Sequence, residues 1–154
     1  MSPRDGAWLA GQALVLVVVL VGLPLADGGP GRFDVPGARV VGIAVAVVGV
    51  VLGVVAMRQL GRQLVPQPTP VTGGTLVDRG MYGRVRHPIY TAVLVVCAGV
   101  VVAIPSVTGV VVLLAEFAFF DRKSAYEESL LEDAHPAYAA YRERVPWKLV
   151  PGVL

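Results

Sequence analysis

The segment Gly80-Met81-Tyr82-Gly83-Arg84-Val85-Arg86-His87-Pro88-Ile89-Tyr90 holds the densest set of chemically capable side chains in the sequence. Pro88 suits the first position of a helix, where its missing N–H removes no bond and its fixed φ matches the first turn. The His87 ring and the free N–H groups of that turn then face one interface, a place suited to a carboxylate or another anion. A plainer reading stays open: Arg84 and Arg86 anchor lipid headgroups while Tyr82 and Tyr90 join an interfacial aromatic belt.

A second constellation lies in Phe120-Asp121-Arg122-Lys123-Ser124-Ala125-Tyr126-Glu127-Glu128-Ser129-Leu130-Leu131. On a continuing helix Lys123 and Glu127 are four residues apart and face one another, with Arg122 on the adjoining surface. A solvated, salt-bridged helix would read the same way. Glu116 differs because it falls inside an apolar run, about one turn from its charged end, and must snorkel, pair or line a cavity. A third segment, Ala134 to Pro146, reads as a short amphipathic cytoplasmic helix bounded by two prolines, its tyrosines covering a site or touching the interface.

The elements that position these groups are set by hydropathy. The chain has 154 residues, 55% of them hydrophobic, with a mean hydropathy of +0.69, above the level usual for a soluble domain. The apolar residues form long runs near the bilayer length of roughly 20 residues. Spans are expected at about residues 7–25, 37–57, 89–104 and 107–120, in one membrane domain with a loop over 58–88 and a tail over 121–154. Pro66, Pro68 and Pro70 forbid a continuous helix in the loop. The last two runs are short, which predicts a helical hairpin completed by its polar flanks. In the second span Gly49 and Gly53 form a small-xxx-small pair that lets a neighbouring helix approach.

Charge predicts the orientation. With the N-terminus inside, every Lys and Arg except Arg32 and Arg39 lies on the inner side, as the positive-inside rule requires. Both termini, the loop and the tail then share the cytoplasmic face, and their polar segments can meet. This accounting favours an uncleaved first helix over a signal peptide cut after Ala26. The net charge of +2, without basic residues interleaved with aromatics, gives no case for nucleic acid. Cys97, the single cysteine, excludes an internal disulfide and a thiolate metal cluster, and no metal site is expected.

Taken in order, Leu76-Val77, Gly80-x-Tyr82, Arg86-His87-Pro88-x-Tyr90, Glu127-Glu128 with Leu130 or Leu131, Tyr138-x-x-Tyr141 and Arg144-Val145-Pro146 resemble the isoprenylcysteine carboxyl methyltransferases and their phospholipid methyltransferase relatives. The resemblance covers about residues 67 to 151. It implies an all-α integral membrane enzyme, expected in the cell inner membrane, that takes S-adenosyl-L-methionine in a cytoplasmic pocket. Carried over by position, Gln67, Leu76, Val77, Tyr82, His87, Pro88, Tyr90 and Glu127 or Glu128 would contact the cofactor. Arg122 or Lys123, with Glu127, would orient a lipophilic acceptor drawn from the membrane lipid phase: a carboxylate, an amine or a thiol. Ala92 stands where the family commonly has glycine, and Gly74-Thr75 where its eukaryotic members are more polar, differences that bear on the acceptor. The short chain leaves the acceptor tunnel to be built differently or completed by a second copy. A noncatalytic membrane protein of the same fold, binding lipid or a partner, is the reading from another class.

The chemistry of the cofactor agrees with the residues on offer. Its carboxylate calls for a helix N-terminus or an imidazole, and its amine and sulfonium call for carboxylates.

Overall fold

The computed structural model describes residues 3–71 and 73–153, which are helical with no β-strand among them. The first rod joins α1 (Pro3–Val17), a π-turn (Val18–Gly22) and the short α2 (Leu23–Leu25). It begins four residues before the apolar run does, because Pro3 fits a helix start and Asp5 complements the dipole in the first turn. A glycine-rich turn follows. At Gly28, φ is +84° and an added Cβ would stand 2.9 Å from the Ile104 side chain, so this crossing requires glycine.

Helix α3 (Ala38–Leu60) ends at Gly61. Among the described residues, the proline-bearing stretch beyond it forms the 3-10 turns Gly61–Gln63 and Gly80–Gly83. Helix α4 (Pro88–Ala103) starts with Pro88 at its first position, as its sequence requires. Helix α5 (Val107–Ala134) is capped by Ser106, whose Oγ accepts from Gly109 N at 2.9 Å. It does not stop where the apolar run ends at Phe120 but continues through the charged segment to Ala134. Nothing between Phe120 and Ala134 breaks a helix, and the i,i+4 pair Lys123–Glu127 supports it. Helix α6 (Tyr138–Arg144) follows the proline at 136.

The two rods Pro3–Leu25 and Ala38–Gln63 are long and apolar enough to cross a bilayer. Their outward faces carry Leu14 at 65% exposure and Val40 at 73%, apolar surface that water would not tolerate in a continuous band. The protein is a membrane protein whose solvent along these helices is lipid.

Helices α3 and α4 pack backbone against backbone. A Cβ on Gly99 would fall 2.6 Å from the Gly42 carbonyl oxygen, and one on Gly49 would fall 2.7 Å from Val96 N. Gly53 is different, with Ala92 Cβ at an ordinary 3.5 Å. The close approach therefore uses Gly42 and Gly49, two helical turns apart, rather than the Gly49–Gly53 pair read in the sequence.

Helix α5 lies along α4, with Val101 near Gly109 at one end and Tyr90 near Phe120 at the other. Glu116 is fully buried between these helices. Neither of its carboxyl oxygens has a hydrogen-bond partner among the described residues, although the Cys97 thiol is a neighbour. The final segment turns back onto the base of α4: Arg86 N donates to Trp147 O at 2.9 Å, His87 N to Lys148 O at 3.0 Å, and Thr91 Oγ1 to Leu149 O at 2.6 Å. Leu149, fully buried, packs with Leu94 and Phe120.

Candidate functional site

Arg86 and His87 enter from the loop, Tyr90 from the first turn of α4, and Lys123, Glu127 and Glu128 from the charged half of α5. Arg86 Nε lies 2.7 Å from Glu128 Oε1, while its Nη1 donates to the carbonyls of Val145 at 2.8 Å and Pro146 at 2.6 Å. His87 Nε2 shares Glu128 Oε1 at 3.1 Å, and its Nδ1 stands 3.6 Å from Glu127 Oε2. Tyr90 stacks on the His87 ring, donates its hydroxyl proton to Glu127 and accepts from Lys123 Nζ at 2.6 Å. One hydrogen-bonded cluster thus joins both constellations seen in the sequence.

The electrostatics follow from burial. Burial alone would raise the Glu128 pKa, but the hydrogen bonds from His87 and Arg86 and their charges outweigh it and bring it down to about 2. Burial pulls the Lys123 pKa down, with Glu127 opposing. Burial, then Tyr141 and Glu127, pushes the Tyr82 phenol up, and burial followed by Glu128 does the same for Tyr138. Both phenols therefore stay protonated at neutral pH, able to donate.

Beside this cluster is a cavity of about 340 Å³, within the size range of small-molecule sites. Gln63 to Val71 and Thr75 to Val77 of the loop form one wall, Met57 and Leu60 of α3 and Ile89 of α4 another, and Lys123, Glu127, Leu131, His135, Tyr138 and Tyr141 a third. The loop is tied down by Gln63 to Thr75 at 3.1 Å, and the turn at Gly80 by Met81 N to Gln59 Oε1 at 2.8 Å. At Gly80 φ is +64° and an added Cβ would meet the Gln59 amide at 2.6 Å, so glycine is required there. The hydroxyls of Tyr82 and Tyr138 are buried without a hydrogen-bond partner among the described residues.

Of the residues singled out from sequence, Gln67, Leu76, Val77, Tyr82, His87, Tyr90, Lys123 and Glu127 all line this cavity. Pro88 is buried beneath it as the first residue of α4. Glu128 sits behind the wall, holding Arg86 and His87. Arg122 is exposed and outside the lining, so of the two candidate cations Lys123 is the one at the cavity. Gln12, His135 and Tyr141 also line it. Gln12 carried no signal in the sequence because a lone amide in an apolar run is commonplace. Arg86 was legible as a basic residue, but its bonds to the tail carbonyls were not.

The helices and cavity define an all-helical membrane protein with a cluster of charged side chains on the wall of a cavity. Residues 38–137, well over half of the chain, match the phospholipid methyltransferase family, and the chain belongs to that family of membrane methyltransferases. A comparison with curated proteins finds no match.

Proposed function

We propose that this protein transfers a methyl group from S-adenosylmethionine to a lipophilic acceptor at the cytoplasmic membrane face. Family membership supports methyl transfer involving lipid-like molecules. The observation that carries the cofactor assignment is the His87–Tyr90–Glu127–Lys123 cluster on the wall of a cavity also lined by two phenols that have no hydrogen-bond partner among the described residues.

The residues fit the cofactor chemically. Glu127 offers a carboxylate for its ammonium and sulfonium, and the His87 ring with the first free N–H groups of α4 offers donors for its carboxylate. Tyr82 and Tyr138 have protons to donate to ribose or base, and Gln67, Leu76 and Val77 enclose the remainder. When bound, the cofactor supplies an electrophilic methyl carbon. Glu128 keeps the imidazole and Arg86 in position. Lys123 and Glu127 orient the acceptor across the cavity.

The apolar wall of Met57, Leu60, Leu64 and Ile89 supports a lipidic acceptor, since Met57 at the end of α3 and Leu64 just beyond it are 38% and 45% exposed. Alignment of acceptor and methyl within this enclosure would account for much of the rate. In the same reading the chain has four spans, the last two forming a hairpin, and both termini are cytoplasmic. The contacts of Asp5 with Thr69 and Trp8 with Tyr126, which join the start of α1 to the loop and the charged half of α5, support that orientation.

The test is calorimetric titration of S-adenosylmethionine into the protein in nanodiscs, beside His87→Ala and Glu127→Ala. Saturable binding that weakens at least tenfold in both variants is expected. A folded parent without binding would reject the assignment in favour of a noncatalytic membrane protein.

A further inference from the structure

Gln12 lies on α1, ahead of the residues that match the family, yet its side chain reaches the cavity. Its amide oxygen accepts from Lys123 Nζ at 2.6 Å. The same Nζ donates to Tyr90 Oη at 2.6 Å and stands 3.4 Å from Glu127 Oε1. Lys123 is 1% exposed, so water does not compete for it. An ammonium has three protons to place, and here one acceptor from each of α1, α4 and α5 is positioned to take them. Tyr90 passes the connection on by donating to Glu127.

Helix α1 is seated to make this contact. Thr69 Oγ1 donates to Asp5 Oδ2 at 2.9 Å, and Trp8 stacks on Tyr126 and meets Phe119 edge-on. Gly11 leaves room, since a Cβ there would lie 2.8 Å from the Phe119 ring. Helix α1 thus meets α5 through Trp8 and Gly11, at Phe119 and Tyr126, about one turn to either side of Lys123.

We propose that Gln12 is a positioning residue for the ligand site, acting through Lys123 to hold Tyr90 and Glu127 against the cavity. The inference rests on the reading above only for what the ligand is. The groups that face Lys123 are Gln12 from α1, Tyr90 from α4 and Glu127 from its own helix, with His87 reached through Glu127. Of these, Gln12 alone belongs to no proposed cofactor contact.

The chain contains only two lysines, Lys123 and Lys148, so lysine side-chain carbon NMR of the full-length protein in detergent resolves them, with Lys148→Arg fixing the assignment. Loss of a neutral acceptor in Gln12→Leu should lower the Lys123 titration midpoint by about one pH unit, and Gln12→Glu should raise it by about as much. For S-adenosylmethionine, Gln12→Leu should weaken calorimetric binding about fivefold, as loss of one supporting hydrogen bond would, and Gln12→Glu should recover it to within about twofold.

A Lys123 midpoint unchanged in Gln12→Leu overturns the proposal, as does unaltered cofactor affinity alongside a moved midpoint. Failure of Gln12→Glu to restore affinity also overturns it, because a merely structural role for α1 would not distinguish the two variants in this way. A parent that binds no cofactor would remove the cofactor reading; the midpoints would then decide the link on their own, equal values rejecting it and separated values keeping it.

Discussion

Arg86 and Glu128 form a buried ion pair at 2.7 Å, and the same guanidinium caps the carbonyls of Val145 and Pro146. One side chain therefore joins the loop before α4, the far half of α5 and the returning tail. Removing the arginine leaves the Glu128 carboxylate with only His87 and takes the donor from the Val145 carbonyl, in a site with side-chain exposures of 8% and 10%. Arg86→Ala should destabilise the protein by about 3 kcal/mol or more, read as a lowered thermal midpoint in detergent. Arg86→Lys should recover only part of this, because an ammonium cannot reproduce the planar fork.

The depressed Glu128 pKa makes stability depend on acid. The folded value of about 2 lies below the ordinary 4.5, so the carboxylate's contribution is complete above pH 4.5 and is lost as pH falls toward 2. That shift corresponds to about 3 kcal/mol. Chemical denaturation between pH 6 and 2 should show this fall in the parent and a flatter profile in Glu128→Gln.

The phenol of Tyr138 separates binding from folding. Its hydroxyl is buried without a hydrogen-bond partner among the described residues, so Tyr138→Phe should leave stability unchanged or raise it by up to about 1 kcal/mol. Cofactor affinity should nevertheless fall about fivefold, a split that paired melting and calorimetry experiments would reveal.

Helix packing gives a contrast within one helix. Gly49→Ala puts a methyl 2.7 Å from the Val96 backbone and should cost about 1–3 kcal/mol, whereas Gly53→Ala meets only an ordinary contact and should be neutral. Equal melting temperatures for the two variants would contradict the packing.

Lys123 and Arg122 are adjacent in sequence but differ in placement. Arg122→Ala, at an exposed position, should leave cofactor binding within about twofold of the parent, while Lys123→Ala removes a cation bonded to Tyr90 and Gln12 and should weaken it about tenfold.

Much was legible from residue order because the signals are local. The apolar runs of α1 and α3 announce bilayer solvent whatever their neighbours do, Pro88 marks the start of α4, and the spacing of Lys123 and Glu127 sets them on one helix face. The cavity-lining roles of Tyr82, His87, Tyr90 and Glu127 were reachable because their motifs keep the order and placement of a known family. What only the tertiary structure decided are relations between distant segments. Lys123 rather than Arg122 faces the cavity because the rotation of α5 is set by packing on α4. Gly42 and Gly99 face each other where α3 and α4 cross because the crossing point depends on both helices. The tail seals the base of α4 through backbone bonds that any residue type can make, and Gln12 reaches Lys123 across 111 positions because α1 packs there. Local patterns encode periodicity and chain direction; register between elements arises only when their surfaces meet.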